Sequence, residues 1–476
     1  MNSYKSNKFS MIQELDNFLQ GSIPAFAEPF SLGIFFNIEF LNLKDIQFSQ
    51  DIITSAGKKI NSDSFNLLSK EEINFIKHIE RETTFTHEIK HYHDMLFSVY
   101  GIWKSTYNFE KLLNLYELIY FNKEYNNGNL KLNFSILDSD LKDIYNDKFF
   151  NINKLIEKGR FANIMSHSSV FNVEEIMEAL AVCAQLQEIY NVYGELSSDA
   201  YLKLKLRQNN KYSKVLSCFD QIFDNLDFES IFYILMCSIN GDIQMELNSA
   251  FPGNRLLDIL TFINYEKGIK NLNNINIKEL MNEYFFIRNY NTPIDSIKKN
   301  INMHKSSIER IKNKFKNEKL NNIYRFKHKY HIKNVFEILD EVTELREKLL
   351  LHIQNNEDMI FSLKTYIDSF ELLPEPHILY YSKINDTKNL ITSVDIDSRF
   401  YEDFNIIQEK EGVPLLFSRK KTLKENSIRL SDSWLKLLDE IFLLYTFVEG
   451  LDINCAPDIF KLFNMRIMAS NYEFIK

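Results

Sequence analysis

The chain has 476 residues, 45% of them hydrophobic and 25% charged, with a formal net charge of −9. That length supports roughly two to three domains and a sizeable core, and the acidic balance argues against a general nucleic-acid role. Glycine (12) and proline (8) are scarce while phenylalanine (40) and tyrosine (24) are abundant, so the expected fold is α+β and predominantly α-helical.

The N-terminus lacks an apolar stretch after its first lysines, so no secretory signal is expected. No uninterrupted apolar run is long enough to cross a membrane as a helix. The cysteines Cys183, Cys218, Cys237 and Cys455 form no C-x-x-C pair. They read as buried thiols in a reducing compartment, which places the chain in the cytoplasm.

In chain order, Ser10 to Leu19 reads as a short amphipathic helix. Leu32 to Leu43 has strand character, with Ile34, Phe36, Ile38 and Phe40 on one face. The segment from Ile46 to Lys59 has no clear period. Ser69 and Glu72 are spaced as a capping box, with Ile73, Phe75, Ile76 and Ile79 following at helical intervals. The run Thr83-Thr84-Phe85-Thr86 reads as an interruption, after which a second helix runs from His87 to a stop at Gly101.

Beyond it, Trp103 to Asn122 reads as a helix, and Leu130 to Ile136 alternates as a strand. Asp138 to Gly159 is expected to be helical. Val173 to Tyr193 forms a long apolar helix stopped by Gly194, and Phe219 to Asn240 one or two more. Ala250 to Arg255 reads as a turn. His304 to Lys333 carries ten Lys/Arg against two Glu, in a helical pattern that continues to about Gln354. This basic stripe is either a solvated face or a surface for nucleic acid or an acidic partner. Glu337, Asp340, Glu341, Glu344 and Glu347 follow it and offer charge pairing to a neighbouring helix. Leu379-Tyr380-Tyr381 and Leu390 to Val394 read as short strands, and Trp434 to Phe447 as a helix.

The chemistry concentrates in Thr86-His87-Glu88-Ile89-Lys90-His91-Tyr92-His93-Asp94. Residues four apart on an α-helix, which turns about 100° per residue, lie nearly above one another. His87 and His91 can thus face one metal ion, with Glu88 beside them as a general base. Asp94 shares their helix face and is expected to accept the other ring N–H of a ligating histidine. His93 points elsewhere and reads as a packing or surface residue.

A catalytic zinc keeps three protein ligands and one open position. Two carboxylates compete for the third place. Glu110 follows His91 after eighteen intervening residues. Glu178 opens a helix face carpeted with alanine, Glu178-Ala179-Leu180-Ala181, whose small side chains allow close approach to the histidine helix. Glu178 is the favoured ligand and Glu110 the alternative.

The pattern His87-Glu88-x-x-His91 followed by Glu178-Ala179-Leu180-Ala181 resembles the motifs of gluzincin-type zinc metallopeptidases. The resemblance covers about residues 70 to 195. It implies a zincin-like core with a small sheet beside the histidine helix. It also implies one zinc per chain held by His87, His91 and Glu178, with Glu88 as general base. The substrate would be a protein or peptide. Arg255 is a weak candidate for stabilising an oxyanion, its commoner role being a structural ion pair. The expected divisions are a metallopeptidase domain over 1–265, a helical region over 266–356 and a C-terminal α+β region over 357–476. The alternative function is a zincin-like binding protein that uses the basic helix 304–333.

Overall fold

The computed structural model describes residues 25–28, 33–37, 47–106, 170–207, 213–242, 251–273, 275–316, 329–356, 358–368, 373, 376–381, 404–408 and 416–419. The readings for Ser10 to Leu19, Glu110, Leu130 to Ile136, Asp138 to Gly159, Leu390 to Val394, Trp434 to Phe447 and Cys455 lie outside them.

The described chain is predominantly helical. Strands β1 (Ala25–Glu28) and β2 (Gly33–Asn37) come first. Helices α1 (Gln50–Asn61), α2 (Lys70–Phe97), α3 (Val173–Tyr193) and α4 (Glu195–Arg207) follow. Next are α5 (Lys214–Ile222), α6 (Phe228–Ile239), α7 (Pro252–Thr261) and α8 (Ile277–Ile287). The long helices α9 (Pro293–Lys316) and α10 (Lys329–Asn355) lead to the short α11 (Asp358–Phe361) and α12 (Leu363–Asp368). Strands β3 (His377–Tyr381), β4 (Phe404–Gln408) and β5 (Leu416–Arg419) complete a sheet of order β1-β2-β3-β5-β4. The β2–β3 pairing is parallel and the others antiparallel, and α2 packs against β1 and β2.

Helix α2 is the axis of the molecule. Its start is the expected capping box: Ser69 Oγ accepts from Glu72 N–H at 3.2 Å, and Glu72 Oε2 accepts from Ser69 N–H at 2.6 Å. The expected interruption at Thr83-Thr84 is absent, and α2 runs unbroken from Lys70 to Phe97. The reason is local. The Thr83 hydroxyl donates to the Ile79 carbonyl at 2.9 Å and that of Thr84 to the Glu80 carbonyl at 2.7 Å. Both hydroxyls are satisfied four residues back, inside the helix, and so cap nothing. The helix ends at Ser98 rather than at Gly101. Gly101 lies in the helical segment 99–106, where a Cβ would collide with the carbonyl oxygens of Asp94 and Met95. It permits a close approach to the backbone at the end of α2 and is no cap.

Helix α3 lies along α2 and is buried from Glu175 to Leu186, while its last turn is exposed at Tyr190 and Val192. Ala179, Ala181 and Ala184 are fully buried, as the alanine carpet requires. Its own capping box joins Asn172 and Glu175, and Gly194 at φ 84° ends it, a left-handed position suited to glycine. The region 219–240 resolves into two helices, α5 and α6, and Pro252 starts α7 where a turn was expected. The described parts of the basic region, 304–316 and 329–333, belong to two helices, α9 and α10, which pack together. Lys305 pairs with Glu347 at 2.7 Å and Lys312 with Asp340, the pairing that the acids after the stripe suggested. Among the described residues, no helix is long and apolar enough to cross a membrane.

Candidate metal centre

Three side chains from α2 and α3 converge. His87 and His91, one turn apart on α2, present their rings edge to face at 4.7 Å between centroids. Their Nε2 atoms are 3.1 Å apart. Glu178 Oε2, reaching across from α3, lies 3.1 Å from His87 Nε2 and 3.5 Å from His91 Nε2. Among the described residues these three form a group able to hold a metal ion, their ligand atoms all within 4.8 Å of one another. Glu178 is thus brought to the histidines, while Glu110 lies outside the described residues.

The donor set and spacing fit zinc. Ligands bound tetrahedrally at about 2.0–2.2 Å lie about 3.3–3.6 Å from each other. The separations here, 3.1, 3.1 and 3.5 Å, are close to that edge. Two imidazoles and a carboxylate also suit zinc chemically. The electrostatics point the same way. Burial alone would push the His91 imidazole down, but the carboxylate of Glu178, then those of Glu88 and Asp94, outweigh it and hold the ring above the usual histidine value. The pocket favours a positive charge, whether proton or metal. The side chains of His87, His91 and Glu178 are largely shielded from solvent, so water screens that field little.

Glu88 follows His87 directly and is buried. Asp94 does not take up a ligating ring. It accepts instead from the Lys90 ammonium one turn back, in a pair that is all but inaccessible to water. Lys90 also lies 5.2 Å over the Phe232 ring and 5.3 Å from that of Tyr366. These surroundings offset the cost of burial only in part: desolvation still holds the Lys90 amine below its ordinary value and the Asp94 carboxyl above its own. The ring partner of His87 is Gln185, whose Oε1 is 3.0 Å from His87 Nδ1. Sequence reasoning missed Gln185. The available signal was its place seven residues after Glu178, on the same face of α3.

His93 is a packing residue. It is buried, stacks near Phe97 and bonds Tyr366 Oη through Nδ1 at 2.9 Å. Arg255 is buried and structural, and two of its partners are main-chain carbonyls. Its guanidinium donates to Ser238 O at 2.7 Å and Asp242 O at 2.5 Å. Cys183, Cys218 and Cys237 are free thiols, and burial pushes Cys183 up to about 12, too high for a nucleophile at neutral pH.

No protein-family model matches the chain, no curated protein matches it and no solved structure matches it.

Proposed function

We propose that the chain is a zinc-dependent metallopeptidase of zincin-like architecture, with one zinc per chain held by His87, His91 and Glu178. One observation carries the reading: the lone-pair donors of these residues converge at tetrahedral spacing beside Glu88. When bound, zinc would polarise a carbonyl and lower the pKa of a water molecule to about 7. Glu88 takes the proton of the attacking water as general base and passes it to the leaving nitrogen. Its position next to His87 on α2 and its electrostatic effect on His91 support that role.

The substrate class is protein or peptide, and the free cysteines support a reducing, cytoplasmic setting. The alternative reading, binding of nucleic acid or an acidic partner through the basic stripe, is weaker. Lys305 and Lys312 already pair with acids of α10.

The decisive experiment combines elemental analysis with a peptidase assay on a library of quenched peptides. Wild type should carry about one zinc and cleave. Glu88→Gln should keep the zinc and lose about 10²–10⁴-fold in turnover. Undiminished turnover in that variant, or a wild type that takes up no zinc at neutral pH, would sink the proposal.

A further inference from the structure

We propose that Gln185 is a positioning residue that locks His87 in its Nδ1–H tautomer and so aims the Nε2 lone pair at the metal position. The inference deepens the zinc reading and rests on it for its functional meaning. Its structural content stands on three buried hydrogen bonds.

The direction of each bond follows from the one before. Thr83 has a single hydroxyl proton, and it is committed to the Ile79 carbonyl at 2.9 Å. Thr83 Oγ1 can therefore only accept from its other neighbour, Gln185, 3.1 Å away. That makes the facing atom of Gln185 its amide nitrogen, and turns Oε1 towards His87 Nδ1 at 3.0 Å. An amide oxygen accepts and never donates, so Nδ1 must carry the proton. A neutral imidazole has one N–H, which leaves Nε2 with its lone pair facing Glu178 and His91. Reversing the amide would set Gln185 Oε1 against a threonine oxygen that has no proton to give.

The architecture makes the lock rigid. Thr83, His87 and His91 succeed one another four residues apart on α2, and Glu178 and Gln185 share one face of α3. Thr83 and Gln185 are 2% and 3% exposed, so water does not replace either partner. The choice of an amide over a carboxylate has a consequence. A carboxylate could take the Nδ1 proton or strengthen the ring as a donor, whereas Gln185 sets orientation and tautomer without adding negative charge to a pocket already bearing Glu178 and Glu88.

The test uses the full chain with ¹⁵N-labelled histidine, assigning the His87 signals by their loss in His87→Ala. In metal-free wild type the nitrogen shifts of His87 should report Nδ1–H. Gln185→Leu should abolish that preference and weaken zinc binding about 10–100-fold, measured by competition with a chromophoric chelator at neutral pH. Gln185→Glu, which keeps an acceptor, should bind zinc at least as tightly as wild type. Thr83→Val should mix the tautomers, because the amide is then free to turn; it decides the matter if Gln185→Leu fails to fold by circular dichroism. A folded Gln185→Leu with wild-type tautomer and wild-type zinc affinity overturns the proposal. So does an Nε2–H tautomer in wild type. If wild type binds no zinc, the zinc reading falls, while the tautomer result still upholds or overturns the lock.

Discussion

At the C-terminal end of α2 the buried guanidinium of Arg346 donates to Leu96 O at 2.8 Å and Ser105 Oγ at 2.6 Å, and meets His304 Nε2 at 3.0 Å. Earlier on the same helix, His87 and His91 meet Glu178 of α3, their Nε2 atoms and its carboxylate turned towards one another. Both clusters are polar and buried, yet their chemistry is opposite. In the first, a donor-rich group is matched by acceptors, and His304 in turn bonds Thr106. In the second, two imidazole nitrogens and a carboxylate oxygen face one another across about one tetrahedral edge, an arrangement that favours a positive charge, whether proton or metal. The number of buried polar groups does not separate a structural cluster from a candidate metal centre; the balance of donors and acceptors does. A third cluster serves as a control. Glu72 is a buried carboxylate on α2 whose cation is built in: Lys59 Nζ lies 2.8 Å from both its oxygens, and Ser55 also donates to it.

Removing the donor from the first cluster should break it outright. Arg346→Met leaves the Leu96 carbonyl, Ser105 and His304 without their partner, and should lower unfolding stability by about 2–4 kcal/mol in denaturant titrations. A loss below about 1 kcal/mol would mean that the buried guanidinium, which burial holds down at about 9, contributes as much strain as bonding.

If the second cluster holds zinc as proposed, it should behave in the contrary way. Zinc at one hundred times its dissociation constant should stabilise wild type by about 2.7 kcal/mol. Glu178→Gln should abolish that gain in a thermal-shift assay and leave metal-free stability within about 1 kcal/mol of wild type. A large loss in the metal-free variant would place Glu178 among structural residues.

Glu72→Gln should cost about 1–2 kcal/mol at neutral pH through the lost capping and charged bonds. Hydrogen bonds from Lys59 first, then Ser55 and Ser69, lower the Glu72 carboxyl from 4.5 to about 2. A depressed carboxylate contributes its stability above the unfolded value and loses it as pH falls through the folded one. The gap between wild type and variant should thus close between pH 4.5 and about 2.

The smallest effect belongs to His304. Burial, and then the Arg346 charge, push its imidazole well below 6.5. It is neutral in the fold, so its contribution is intact above pH 6.5 and declines as pH drops below that value, where the unfolded chain takes up the proton. His304→Gln should flatten the acid side of the stability–pH curve. An unchanged slope would show that the acid sensitivity originates elsewhere.

Local signals settled much of this protein at the level of sequence. The capping box at Ser69 and Glu72, the helical spacing of His87 and His91, and the alanine face behind Glu178 are all short-range patterns, because helix geometry repeats within a few residues. Gly194 ending α3 belongs with them. Tertiary structure decided what depends on partners far along the chain. Thr83 looked like a helix break because threonine competes for backbone bonds, and it proved helical because its hydroxyl is satisfied four residues back while its oxygen receives Gln185, 102 positions away. Asp94 shared a face with the histidines, but Lys90 claimed it once Phe232 and Tyr366 had closed over that ammonium. A helical period says which residues share a face. Only the packing of α3, α6 and α12 around α2 decides which of them meet a donor, which meet an acceptor and which converge as a candidate metal site.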